Sequence, residues 1–134
     1  MYTPTTDPPA EVGSAPLRRP RRDARRILLI LSEELRADGA AASAHEAAVA
    51  ALNAVVGDTI EYALAPQSAA GAVSFQVRLN PSDPGCGPRV RAFTSLSLSN
   101  GEIVGGSIVH CSLDAARSPT ATHETGHTFG LRHS

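Results

Sequence analysis

The last thirteen residues, THETGHTFGLRHS (122–134), contain the side chains with the clearest potential for chemistry. On a helix, a spacing of four residues corresponds to about 40° of rotation and about 6 Å of rise, so His123 and His127 project from one face. Neutral imidazole binds zinc at about 2.0–2.1 Å, and two such rings can converge on one ion. Glu124 lies about 100° around the helix, where its carboxylate can accept a proton from a water on the metal. The spacing therefore predicts one zinc ion with a neighbouring base.

A third ligand is needed if zinc is to keep an open position for water. His133 follows six residues after His127, and a continuing helix would turn it about 240° away from the metal. Gly130 lies between them and, having no Cβ, can adopt a positive φ that ends the helix. We therefore expect Gly130 to act as a hinge that returns His133 to the ion.

The complete pattern, HExxHxxGxxH, resembles the motif of the metzincin zinc endopeptidases and matches it at His123, Glu124, His127, Gly130 and His133. The resemblance implies three histidine ligands for one zinc ion, with Glu124 as the general base of peptide hydrolysis. It also implies a protein or peptide substrate that lies extended along an edge strand. The family usually works outside the cell, although the sequence shows no signal peptide.

Metzincins also resemble one another in a methionine turn beyond the third histidine. The single methionine of this sequence is Met1, and the sequence stops at Ser134, so we expect the C-terminal subdomain to be missing. An alternative function is therefore a zinc-binding fragment that is catalytically incomplete. A further alternative is a metal-free interaction domain whose histidines are incidental.

Several segments have the patterns of strands and helices that could position this site. The run ILLIL (27–31) predicts a buried strand, and residues 59–64 and 73–79 predict two more. A helix is predicted over 43–57, with Ser43 and Glu46 as a capping box and Gly57 as a left-handed C-terminal cap. A second helix is predicted after Ser118 as N-cap and Pro119 as first helical residue.

Asn100-Gly101 predicts a tight hairpin between a serine- and threonine-rich edge strand, 91–99, and the strand that leads to the second helix. A two-residue turn there would pair Leu98 with Ile103. With a bulge at Gly105-Gly106, Cys111 would then lie opposite the region just after Cys86. The loop 80–88 would then be closed by a Cys86–Cys111 disulfide, with two free thiols as the alternative.

These elements predict an α/β fold: a twisted, mixed, five-stranded sheet with two helices, similar to the N-terminal subdomain of metzincins and spanning residues 27–134. The 134 residues suit one domain. Residues 1–26, rich in proline and arginine, predict a disordered leader. Its stretch RRPRRDARR (18–26) is interpreted as a solvated linker, with a nucleic-acid arm or a processing site as alternatives.

The formal net charge of −1 argues against nucleic-acid and membrane partners, and we expect a monomer. Two histidines have no ligand spacing to the motif. His45 is expected to face solvent, and His110 is expected to have a structural role. Phe129 and Leu131 are expected to be core contacts beside the glycine hinge.

Overall fold

The structure, a computed structural model, describes residues 19–129. Within this range a mixed sheet of six strands carries four helices, so the predicted α/β class is confirmed. The predicted counts of five strands and two helices are too low, because one very short strand and two short helices carry no clear periodicity. The strands are β1 (Arg19–Pro20), β2 (Arg26–Leu31), β3 (Glu61–Leu64), β4 (Ala72–Leu79), β5 (Ala92–Ser99) and β6 (Glu102–His110). The helices are α1 (Glu33–Ala37), α2 (Gly39–Val56), α3 (Leu113–Ala116) and α4 (Thr120–His127).

The sheet has the order β3-β2-β4-β6-β5, with β1 added beside the first residues of β6. Strands β3, β2, β4 and β6 are parallel, and β5 is antiparallel to β6. Within residues 19–129, β5 pairs with β6 alone, so it is an edge strand as predicted.

The core lies between the sheet and the helices and includes Leu29, Phe75 and Ile108, all fully buried. The other sheet face also buries apolar side chains, among them Leu28 and Val109. A parallel strand covered on both faces has a continuous apolar sequence, which explains the run ILLIL. None of the helices in the described range combines the length and apolarity that a bilayer span requires.

The long helix α2 differs from its prediction at both ends. It begins at Gly39, with Asp38 as N-cap accepting a hydrogen bond from the Ala41 N–H at 2.9 Å. The capping box predicted at Ser43 is therefore wrong, because the alanine-rich segment before it is already helical. Gly57 is the C-cap of α2, but its φ of −59° makes the predicted left-handed conformation wrong, and its N–H donates to the Asn53 carbonyl.

The predicted leader is partly ordered. The Arg21 N–H donates to the Ile103 carbonyl at 2.9 Å, and Ala24 is buried. The predicted disorder is therefore wrong for residues 19–26. The first residues of β6 are not paired with β4, and Arg19 and Pro20 pair with them instead. Residues 1–18 lie outside the described range.

The predicted hairpin is present. Asn100 (φ 53°) and Gly101 (φ 79°) form its turn, and Leu98 pairs with Ile103. The bulge inserts Val104, because Ser97 pairs with Gly105, so it lies one residue before the predicted position. Cys86 and Cys111 form the predicted disulfide, with their Cα atoms 5.7 Å apart.

Candidate metal centre

Helix α4 carries the first part of the motif and lies against α2 and β5. It begins at Thr120, with Pro119 as N-cap, one residue later than predicted. The hydroxyl of Ser118 still contributes, because it accepts a hydrogen bond from the Thr120 N–H at 3.2 Å. The helix therefore starts near its predicted position and presents His123 and His127 on one face.

The two histidines have the separation that a shared metal ion requires. Their Nε2 atoms are 3.2 Å apart, and their ring planes make an angle of 84°. Two nitrogens bound to one tetrahedral zinc ion at about 2.0–2.1 Å would lie about 3.3 Å apart. His127 is buried, with 9% of its surface exposed, and His123 is half-buried, so His123 is the more accessible of the two. The donor set and its spacing fit zinc.

Glu124 completes the cluster. One potential ligand atom from each of His123, Glu124 and His127 lies within 4.8 Å of the others, and the Glu124 side chain is fully buried. A buried carboxylate is costly unless hydrogen bonds compensate for lost hydration. The hydroxyl of Thr94 on β5 donates to Oε1 of Glu124 at 2.6 Å. Among the described residues 19–129, His123, Glu124 and His127 form a group of side chains that could hold a metal ion.

The far end of α4 is attached to the core by Tyr62. The Thr128 hydroxyl donates to the Thr125 carbonyl at 2.5 Å, so the Tyr62 hydroxyl, 2.7 Å away, donates to Thr128. Asn53 on α2 in turn bonds both the N–H and the carbonyl of Tyr62, at 2.7 and 2.9 Å. Burial raises the pKa of Tyr62, which keeps the phenol protonated as a donor. One chain of hydrogen bonds thus joins α2, β3 and the end of α4.

The remaining predicted residues are Gly130, Leu131 and His133, which lie outside the described range. The hinge and the third ligand therefore stay predictions. Phe129 is described, and it packs against the core as expected.

The prediction that His45 faces solvent is wrong, because the residue is fully buried. The error follows from the misplaced helix start: α2 begins six residues before His45, so this side chain lies inside the helix and faces the sheet. Its partner there is His110, which is also fully buried, in agreement with a structural role.

Thr94 is the residue at the candidate site that the sequence analysis missed. The available signal was the alternation of β5, in which Ala92, Thr94, Leu96 and Leu98 share one face. A hydroxyl in that series indicates a buried polar partner.

A scan against protein-family models and a search of curated proteins find no match to this chain. The candidate site is thus defined by its own geometry: a histidine, glutamate and histidine cluster in an α/β protein that could hold a metal ion.

Proposed function

We propose that this protein is a metzincin-type zinc endopeptidase. The observation that carries the proposal is the cluster itself: two imidazole nitrogens 3.2 Å apart beside a buried glutamate. Histidines scattered by chance on a surface helix would not be expected to lie beside a fully buried carboxylate. A metal ion and a water reacting beside it give that carboxylate a use.

In this proposal His123 and His127 hold the ion through Nε2, and His133 is the predicted third ligand. Bound zinc would lower the pKa of a water toward about 7 and polarise the carbonyl of the substrate. Glu124 would accept a proton from the attacking water and later deliver it to the nitrogen of the leaving amine. One water molecule is consumed, and one peptide C–N bond is broken.

Strand β5 is the proposed docking edge for the substrate. Its second edge is unpaired within the described chain, and Ser95 and Ser97 are exposed there. An extended peptide can add to such an edge through backbone hydrogen bonds. Because Thr94 on the same strand contacts Glu124, a peptide docked on β5 would lie close to the base.

The direct test is digestion of casein and of a quenched fluorescent peptide by the zinc-loaded chain. Glu124→Gln should abolish hydrolysis while retaining zinc, since the imidazoles are unchanged. Glu46→Gln, an exposed glutamate on α2, is the matched control and should retain activity. Activity that persists in Glu124→Gln would remove this residue from the mechanism. Zinc binding without hydrolysis by the unaltered chain would favour the catalytically incomplete fragment.

A further inference from the structure

We propose that Thr94 is a positioning residue for Glu124 and determines the orientation of its carboxylate over the two histidines. The inference rests on the proposed function and identifies a residue outside the motif that the same site requires.

Thr94 is a polar residue at a buried position of β5, where the other buried residue is Ala92. It is 4% exposed, whereas its neighbours in sequence, Phe93 and Ser95, are more accessible. It pairs with Ile108 across the antiparallel ladder, so its side chain shares the face of that core residue. Strand β5, which pairs only with β6 among residues 19–129, thus directs one hydroxyl inward, toward α4.

That hydroxyl meets Glu124 at two places. Its Oγ1 lies 2.6 Å from the carboxylate oxygen Oε1 and 3.1 Å from the backbone carbonyl oxygen of the same residue. The shorter distance falls in the range of a hydroxyl that donates to an ionised carboxylate. The hydroxyl has one proton, so the carboxylate is the principal acceptor. Thr94 therefore holds the carboxylate of Glu124 on the same side as the backbone carbonyl of Glu124, since its hydroxyl contacts both.

The consequence is a preset geometry for proton transfer. A glutamate side chain has several rotatable bonds, and a misplaced base loses much of its catalytic effect. Thr94 selects one arrangement before substrate arrives. Because Thr94 belongs to the strand proposed to dock the peptide, the same strand would position both the base and the substrate backbone. Residues in such a supporting role typically change activity by about 10- to 100-fold when altered.

The kinetic test compares Thr94→Val, which keeps the shape and removes the hydroxyl, with Thr94→Ser, which keeps the hydroxyl. Thr94→Val should lower kcat by about 10- to 100-fold with little change in KM or zinc affinity. Thr94→Ser should restore most of kcat. Thr59→Val, at an exposed position, is the matched control.

A second measurement needs neither zinc nor activity. The ¹³C resonance of the Glu124 carboxyl, assigned by its disappearance in Glu124→Gln, should move in Thr94→Val and stay near its original position in Thr94→Ser. If valine prevents folding, as judged by circular dichroism, Thr94→Ala replaces it with the same expectations.

The outcomes separate the two proposals. Unchanged kcat in Thr94→Val, or equal losses in the valine and serine variants, overturns the role of Thr94. If the unaltered chain hydrolyses no peptide, the proposed function fails and the resonance alone decides the role of Thr94. In that case, a Glu124 carboxyl resonance that does not move in Thr94→Val overturns the positioning role of Thr94.

Discussion

His45 on α2 and His110 at the end of β6 form a buried pair, with their Nε2 atoms 3.0 Å apart. The other ring nitrogen of His45, Nδ1, donates to the Ala41 carbonyl at 2.8 Å, so in the neutral pair His110 is the donor to His45. Burial lowers the pKa of His45. Burial is the larger cause, and repulsion from His45 the smaller, that lowers the pKa of His110 to about 3. The two rings therefore join helix to sheet in their uncharged forms.

This pair predicts a loss of stability in acid. The folded-state pKa values lie below the usual value of about 6.5, so below that pH the unfolded chain binds more protons than the folded one. The stability that the uncharged His45–His110 pair contributes is fully present above about pH 6.5. It is lost progressively as the pH falls toward the folded-state pKa values of the two histidines. Urea unfolding of the metal-free chain between pH 7 and pH 4 should show this decline. His110→Gln should make the decline shallower, and an equal slope in both proteins would contradict the assignment.

The disulfide predicts a second, independent contribution to stability. It links the loop after β4 to the residue after β6, and the Cys111 N–H also donates to the Arg91 carbonyl at 2.8 Å. For its separation of 25 residues, chain entropy gives about 3.5 kcal/mol of stabilisation. The double variant Cys86→Ser, Cys111→Ser should show this loss in denaturant unfolding, and reductant should reproduce it in the unaltered chain. The double variant itself should not respond to reductant, which provides the control.

The sequence was sufficient for features governed by local rules. Asn100-Gly101 requires positive φ at two successive residues, which few other pairs tolerate, and the hairpin follows. Four-residue spacing alone places His123 and His127 on one helical face, and their observed separation agrees. The buried strand at residues 27–31 follows from an apolar run too short for a membrane span.

Features that depend on packing between distant elements were missed. The burial of His45 depends on His110, 65 residues away, and on a helix start that alanine propensity displaced from Ser43 to Gly39. Thr94 and Glu124 are 30 residues apart, and Tyr62 and Thr128 are 66 apart. No local pattern encodes which hydroxyl a folded chain brings to which acceptor.

Tyr62 provides a prediction about the support of α4. Tyr62→Phe keeps the buried ring and removes its hydrogen bond to Thr128, so the free energy of unfolding should fall by about 1 kcal/mol. Denaturant unfolding measures this change. Thr128→Ser retains a hydroxyl at the other end of the bond and should lose less than Thr128→Val. If Tyr62→Phe is as stable as the unaltered chain, the link between β3 and α4 has no energetic role.

The last prediction concerns the candidate metal site formed by His123, Glu124 and His127. A ligand that binds only the folded chain adds stability that grows with its concentration, about 2.7 kcal/mol at one hundred times the Kd. Zinc should therefore raise the thermal midpoint of the unaltered chain. His123→Ala and His127→Ala should each lose most of this response, because each removes one of the two nitrogens held 3.2 Å apart. His45→Gln should lower the midpoint without zinc yet keep the zinc-dependent rise, since His45 bonds to His110 and Ala41 instead. His133→Ala tests the third ligand: a response equal to that of the unaltered chain would exclude it from the coordination shell.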